Sequence, residues 1–224
     1  MIDALWITLQ LALITTVILL FIGAPLAYTL TFKTFFGRTV LEVLVALPLV
    51  LPPTVLGYYI LLIIQPSAMV GSMWQVMFNQ SLAFSFSGMV VASVFYSLPF
   101  SVQPMQQAFR AIPVVWLELA KVQGLTFKET CLHIIFPASK SGILVAVALV
   151  FAHTMGEFGV VLMVGGSIPG ETKVASIALF EFVEMQQGDD AWLLALILLG
   201  ISFVMLSIVY SINKKPLLTG NMDQ

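Results

Sequence analysis

The stretch WLELAKVQGLTFKETCLHIIFP, Trp116–Pro137, gathers four charges, a histidine and a glycine into 22 residues of a chain in which only 9% of residues are charged. It stands between two uncharged apolar runs, so its polarity marks a place where the chain leaves an apolar environment. Pro113 suits the first turn of a helix, where its missing N–H costs nothing, and Gly124 is placed to end that helix in a left-handed cap. Thr126 and Glu129 then form a T-x-x-E capping box, which starts a second helical piece that meets Pro137 at the mouth of the next apolar run. The segment is therefore a folded loop. Trp116, Leu117, Leu119, Ala120 and Val122 leave its first helix no wholly polar face, and exposed apolar surface of that kind marks a contact.

Outward from this loop the chain is apolar. Of its 224 residues 60% are hydrophobic, and the mean hydropathy is +1.05, far above the values of a soluble domain. Apolar runs at 4–32, 43–64, 89–109, 137–158 and 191–212 come close to or exceed the roughly 20 helical residues that a bilayer core requires. The expectation is an all-α, polytopic membrane protein with five transmembrane helices in one domain, residues 1–224. A cytoplasmic loop is expected at 110–136 and an outer loop at 157–190. The N-terminus MIDALW lacks basic residues, so the first run reads as a retained helix rather than a cleaved signal.

The basic residues fix the orientation. With the first loop cytoplasmic, Lys33, Arg38, Arg110, Lys121, Lys128, Lys140, Lys214 and Lys215 all fall inside and only Lys173 falls outside, which places the N-terminus out and the C-terminus in. No Lys or Arg is read within a span. Cys131 is alone, so an intrachain disulfide is impossible and no cysteine metal site is expected.

Prolines punctuate the spans. Pro48, Pro52 and Pro53 lie inside the second run and should kink or locally unwind it, and Pro99 and Pro104 repeat the theme in the third. Between these runs, residues 65–88 hold Met69, Trp74, Met77 and Phe78 among polar residues, the pattern of a short helix at the outer interface. Residues 157–190 carry six acids against Lys173, read as a solvated outer surface, with partner docking as the sharper alternative. The octet GGSIPGET, residues 165–172, fits G-x4-G-K-[ST] except that Glu171 replaces the lysine. A negative charge there opposes a phosphate, so it reads as a turn leading into a surface helix at 172–184.

Glu118-Leu119-Ala120, three residues, Gly124, nine residues, then Ile134-Ile135-Phe136-Pro137 resembles the E-A-A-x3-G-x9-I-x-L-P signature of ABC importer permeases. Leu119 stands for the first alanine and Phe136 for the leucine, both apolar exchanges. Sequence at 47–62, FSFSGMVVA at 84–92 and GEFGVVLMVGGSIPGET at 156–172 resemble the molybdate permease subunits of that family. Sulfate permeases share the Gly-Glu-aromatic-Gly element and fit less well around residues 168–172.

The resemblance implies an ABC importer permease fold and a function as the membrane subunit of an ATP-driven importer carrying an oxyanion, molybdate first, with sulfate or tungstate as alternatives. It implies a homodimer, a separate ABC ATPase subunit on the cytoplasmic face, an oxyanion-binding protein on the outer face, and a bacterial inner-membrane location. ATP is then used by the partner, and the chain itself binds no cofactor or metal, has no catalytic residues and no nucleic-acid partner. Coupling falls to Glu118, Leu119, Ala120, Gly124 and Leu125. Pro52, Pro53, His153, Gly156 and Glu157 are candidates for the translocation pathway or its gate.

His153 and Glu157, four apart on one helix face, are expected to be neighbours, joined by a structural hydrogen bond in the bundle or set beside the pathway. A rival class, the proton-coupled secondary transporter, would use the same pair as a relay, but it has no need of the cytoplasmic signature. An intramembrane enzyme has no nucleophile and base clustered within the spans.

Overall fold

The computed structural model describes residues 1–213, so Lys214 and Lys215, read above as cytoplasmic, lie outside the described residues. Within them every regular element is a helix. The long ones are α1 (Ile2–Phe32), α5 (Phe86–Arg110), α8 (Phe136–Met155) and α11 (Gly188–Asn213). Each is helical because in hydrocarbon a backbone must satisfy its own polar groups, and uncharged over most of its length because an ionised side chain there is costly.

The run at 43–64 departs from a simple span. It is built from α2 (Arg38–Ala46), a 3-10 turn at Leu47–Leu49 and α3 (Pro53–Ile64), and the two arms meet at 115°. Pro52 precedes Pro53, whose ring excludes the helical region for the residue before it; Pro52 accordingly sits at φ −56° and ψ 137°. The expected kink is thus a corner.

α5 passes through Pro99 and Pro104 without breaking. It forms the centre of the bundle, packed between α1 and α8. Gly23 of α1 lies directly against Ser101 of α5, where the absence of a side chain lets Ser101 Oγ donate to the Leu19 carbonyl at 2.9 Å. Leu30, Val102, Met105, Phe109 and Ile135 close the core at one end. Ile7, Leu11, Met89 and Ile177 belong to a core cluster toward the other. α11 touches the bundle through Ala191 and Leu194, whereas Leu199, Phe203 and Tyr210 are about 70% exposed, as a lipid-facing helix requires.

The two ends differ in charge. Lys33, Arg38, Arg110, Lys121 and Lys128 share the end where Tyr28 packs against Phe127 and Arg110 reaches Glu42 at 3.8 Å. At the opposite end lie α4 (Met69–Phe78), α9 (Gly159–Gly165) and α10 (Ala175–Glu184), and Lys173, in the turn between α9 and α10, is the one Lys or Arg there among the described residues. α4 is the interfacial helix expected at 65–88, with Met69, Val76 and Met77 largely exposed.

Two expectations are corrected. The segment 157–190 is not simply a solvated loop: Val160, Val161, Val164, Val174 and Ala175 are fully buried, while Glu171, Glu184, Asp189 and Asp190 keep to its exposed side. The fourth run is also not free of cations, because Lys140 lies within it. α7 (Phe127–Thr130), a π-helical stretch at Cys131–Ile135 and α8 join into one continuous helix that carries exposed Lys128 in its first turn and exposed Lys140 about midway along it, where a long side chain can reach toward water.

Candidate functional site

At the cationic end the chain emerges from α5 and forms α6 (Val114–Val122). Pro113 is the residue just before this helix, at φ −59° and ψ 130°, one position earlier than the sequence reading had it. The helix ends as expected. Gly124 adopts φ +71°, Leu125 N–H donates to the Ala120 carbonyl at 3.0 Å, and Gly124 N–H donates to that of Lys121 at 3.1 Å. This pair of bonds is the Schellman motif, which requires a residue at positive φ.

The expected capping box follows immediately. Thr126 N–H donates to Glu129 Oε2 at 2.8 Å and Glu129 N–H donates to Thr126 Oγ1 at 3.3 Å, so the next helix starts at Phe127, four residues intervening after Val122. Its π-helical stretch has a local cause. Pro137 has no N–H, and its ring would collide with the His133 carbonyl in a regular α-turn; the wider turn closed by Phe136 N–H on the Cys131 carbonyl makes room.

The two halves of the sequence signature meet here. Trp116, Leu119, Ala120, His133, Ile134 and Pro137 line one groove of about 420 Å³. Ala120 is 1% exposed, so it forms the floor rather than a contact point, whereas Trp116 and Leu119 are half exposed and Val122 is 84% exposed. Glu118 is exposed and Leu125 half-buried.

Near the opposite end, between α3, α5 and α8, a cavity of about 560 Å³ is lined by Pro53, Tyr96, His153, Gly156, Glu157 and Gly159 among others. Four of the five pathway candidates therefore come together. Pro52 does not join them, because its backbone turns the corner into α3 and leaves the ring exposed. His153 and Glu157 do not bond to each other either. Glu157, 4% exposed, accepts from Ser93 Oγ at 2.8 Å and its other carboxylate oxygen has no partner. His153 Nδ1 is hydrogen-bonded to Ser97 Oγ at 2.9 Å, and its ring stacks on Phe100 with centroids 4.1 Å apart.

The polar contacts come instead from Ser93 and Ser97, which with Ser101 form a buried row along one face of α5. Sequence reasoning passed over these serines, although their spacing of four in an apolar run places them on one helix face. A second cavity of about 560 Å³ opens along the same two helices toward the cationic end, lined by Phe100, Gln103, Gln107, Ser141 and Gly142. Phe100 borders this cavity and stacks on His153, which borders the other, so the aromatic pair partitions the two.

The octet at 165–172 is a turn, as read. Gly166 and Gly170 take positive φ, and the buried Thr172 donates to the Gly165 carbonyl at 2.7 Å while accepting from Ile168 N–H at 3.0 Å. The helix beyond begins at Ala175, not at 172, and buries Ala175, Ile177 and Ala178. Glu181 bonds to Lys173 and to Ser167, and the Lys173 ammonium, then the Ser167 hydroxyl, hold its carboxyl below the usual carboxylate range.

A helical membrane bundle with a capped helix at one end and a cavity near the other beside a central helix has the architecture of an ABC importer permease. The chain belongs to the family of binding-protein-dependent transport system inner membrane components, which it matches over residues 19–216. It is 44% identical over 208 residues to the molybdenum transport system permease protein ModB of Azotobacter vinelandii, covering 93% of this chain and 92% of the relative. ModB of Escherichia coli (strain K12) is 29% identical over 209 residues, 93% of this chain and 91% of the relative. The sulfate transport system permease protein CysT of the same strain is 30% identical over 209 residues, 92% and 73%. In fold, the chain matches a bacterial ABC transporter involved in import of the acidic polysaccharide alginate, with a TM-score of 0.71 at 18% identity over 94% of this chain and 76% of that one. A structure of the alginate transporter in complex with its alginate-bound periplasmic protein gives 0.75 at 17% identity, over 95% and 78%. The chain is a multi-pass membrane permease subunit.

Proposed function

We propose that this subunit carries molybdate into the cell as one half of a homodimer. The observation that carries the mechanism is the groove in which Leu119, Ala120, Ile134 and Pro137 converge beside the exposed Trp116 and Val122. It offers an ATPase subunit an apolar seat on a helix whose end is fixed by the Gly124 cap, with Glu118 and Leu125 flanking it. The choice of anion is supported by the relatives, of which ModB of Azotobacter vinelandii matches the whole length far better than the sulfate permease does. Tungstate has nearly the same size and charge and is expected to share the path.

ATP binding and hydrolysis belong to the partner subunit, and this chain needs no cofactor of its own. The N-terminus faces out and the cationic end faces the cytoplasm, in keeping with Lys33, Arg38, Arg110, Lys121 and Lys128 clustered there against Lys173 opposite, Lys140 being the one other described Lys or Arg. An oxyanion-binding protein delivers the anion to the outer face. Two copies facing each other would enclose the path along α5 and α8, each adding one coupling helix to a two-fold ATPase. Gln103, Gln107 and Ser141 offer neutral polar groups to a dianion, a lining weak enough to release it. Pro53, His153, Gly156 and Glu157 form the outer gate, and Pro52 sets the corner behind it.

The test is reconstitution of this chain with its ATPase and binding protein in liposomes, measuring labelled molybdate uptake. ATP-dependent accumulation, competed by tungstate more strongly than by sulfate, is expected. Uptake that persists without ATP and collapses with the proton gradient would overturn the proposal.

A further inference from the structure

Where α1 leaves the bundle at the cationic end, a cavity of about 590 Å³ separates its last turns from the start of the helix formed by α7, the π stretch and α8. Ala24, Phe109 and Ile135 line its depth, the exposed Pro25 borders it, and Lys33 and Lys128 stand at its rim. Nine residues separate Ala24 from Lys33, so the floor lies about 13 Å along the helix axis from the rim charge. Phe127, Leu132 and Phe136 border it with 65%, 52% and 41% of their surfaces exposed.

The charges at this end are not equivalent. Arg38 and Arg110 both reach Glu42, at 3.2 and 3.8 Å, and Glu129 is engaged by Thr126 in the capping box. Lys33 and Lys128 enter no ion pair among the described residues. An apolar slot of this depth, opening on the lipid side of a membrane helix beneath two uncompensated ammonium groups, has the layout of an acyl chain below a phosphate.

We propose that this cavity seats an anionic phospholipid of the inner leaflet, its phosphate on Lys33 and Lys128 and the upper part of one acyl chain against Ala24, Pro25 and Ile135. A neutral lipid would leave the two ammonium groups without a counter-charge, and a soluble partner has no reason to reach a floor at hydrocarbon depth. Because Phe127 and Lys128 open the helix that follows the Gly124 cap, the lipid would brace the coupling loop against α1. The site is independent of which anion is transported and rests on the proposed function only in placing the cationic end at the inner leaflet.

The experiment uses the full-length chain in the assembled transporter, in nanodiscs of phosphatidylcholine, titrated with phosphatidylglycerol and read by native mass spectrometry and by the midpoint of thermal unfolding. Phosphatidylglycerol is expected to bind and to raise the midpoint, while further phosphatidylcholine does neither. With each lysine near an anionic headgroup contributing about 1 kcal/mol, Lys33→Gln with Lys128→Gln should weaken binding about thirtyfold, and Lys33→Arg with Lys128→Arg should restore it. Ala24→Trp, which fills the slot and leaves both lysines, should also abolish binding. Equal binding of the two lipids, indifference to the double Gln change, or competition by free glycerophosphate would overturn the proposal. So would a photocrosslinker at Leu132 that captures the ATPase subunit in place of lipid.

Discussion

Gly124 offers a graded test of how the coupling loop works. The residue sits at φ +71° and a Cβ added there would meet nothing within 4 Å, so a substitution is opposed by backbone conformation and not by crowding. An L-residue held in the left-handed region costs roughly 1–2 kcal/mol. That is a factor of about 5–30 in the ratio of capped to frayed helix end, which sets the upper bound on the loss of apparent ATPase affinity if only the capped form binds, reached when the variant's capped form is the minority. Gly124→Ala is therefore expected to weaken ATPase binding measurably, by at most about 5–30 fold, while membrane insertion stays normal. Gly124→Asn should do less harm, since asparagine tolerates this region. Gly124→Pro locks φ near −65° and removes the N–H that donates to Lys121, so both Schellman bonds fail and uptake should be lost. The assay is ATPase pull-down and ATP-driven molybdate uptake for the three variants at matched membrane abundance. If alanine proves as damaging as proline, or if proline supports normal uptake, the loop does not act through its cap.

Further expectations concern the bundle. Ser93→Ala leaves the buried Glu157 carboxylate without a partner on either oxygen and should lower stability by about 1–3 kcal/mol, read as a lower thermal midpoint in detergent. Glu157→Gln keeps a group that Ser93 can bond and should insert normally while uptake falls; unchanged uptake would remove Glu157 from the gate. Gly23→Leu would force a side chain into Ser101 and should cost about 1–3 kcal/mol by overpacking α1 against α5, visible as reduced abundance in the membrane. Glu181 is depressed by Lys173 and Ser167, so its contribution is present above the unfolded carboxylate value and is lost as pH falls through the lower folded value. Thermal midpoints measured from pH 6 down to 3 should show that acid loss in the wild type and a smaller one in Glu181→Gln, by about 0.5–1 kcal/mol for a partly exposed pair.

The parts of this fold that local chemistry dictates were legible in the sequence. Gly124, Thr126 and Glu129 announce their caps because a left-handed turn and an orphaned N–H each have few chemical solutions, and hydrocarbon thickness converts apolar runs into spans. What depends on distant partners was not. Pro52 and Pro53 declare a break, but the 115° corner is set by how α3 packs on α9, with Gly57 against Met163 and Gly159 against Pro53. His153 and Glu157 looked like each other's partners from spacing alone, yet each turns to a serine of α5, a helix more than 50 residues earlier in the chain. Ala120, expected at the contact surface, forms the floor of its groove because α6 rests on the bundle through it.

The continuous helix from Phe127 to Met155 runs 29 residues, about 43 Å at 1.5 Å per residue, and joins the capping box at one membrane face to His153 near the other. It is a strut with no joint in its upper part. Tilting such a strut by ~10° about its middle swings its two tips by about 4 Å in opposite directions. Drawing the lower tips of a facing pair together would spread the upper tips apart, so lever geometry alone lets one face close as the other opens.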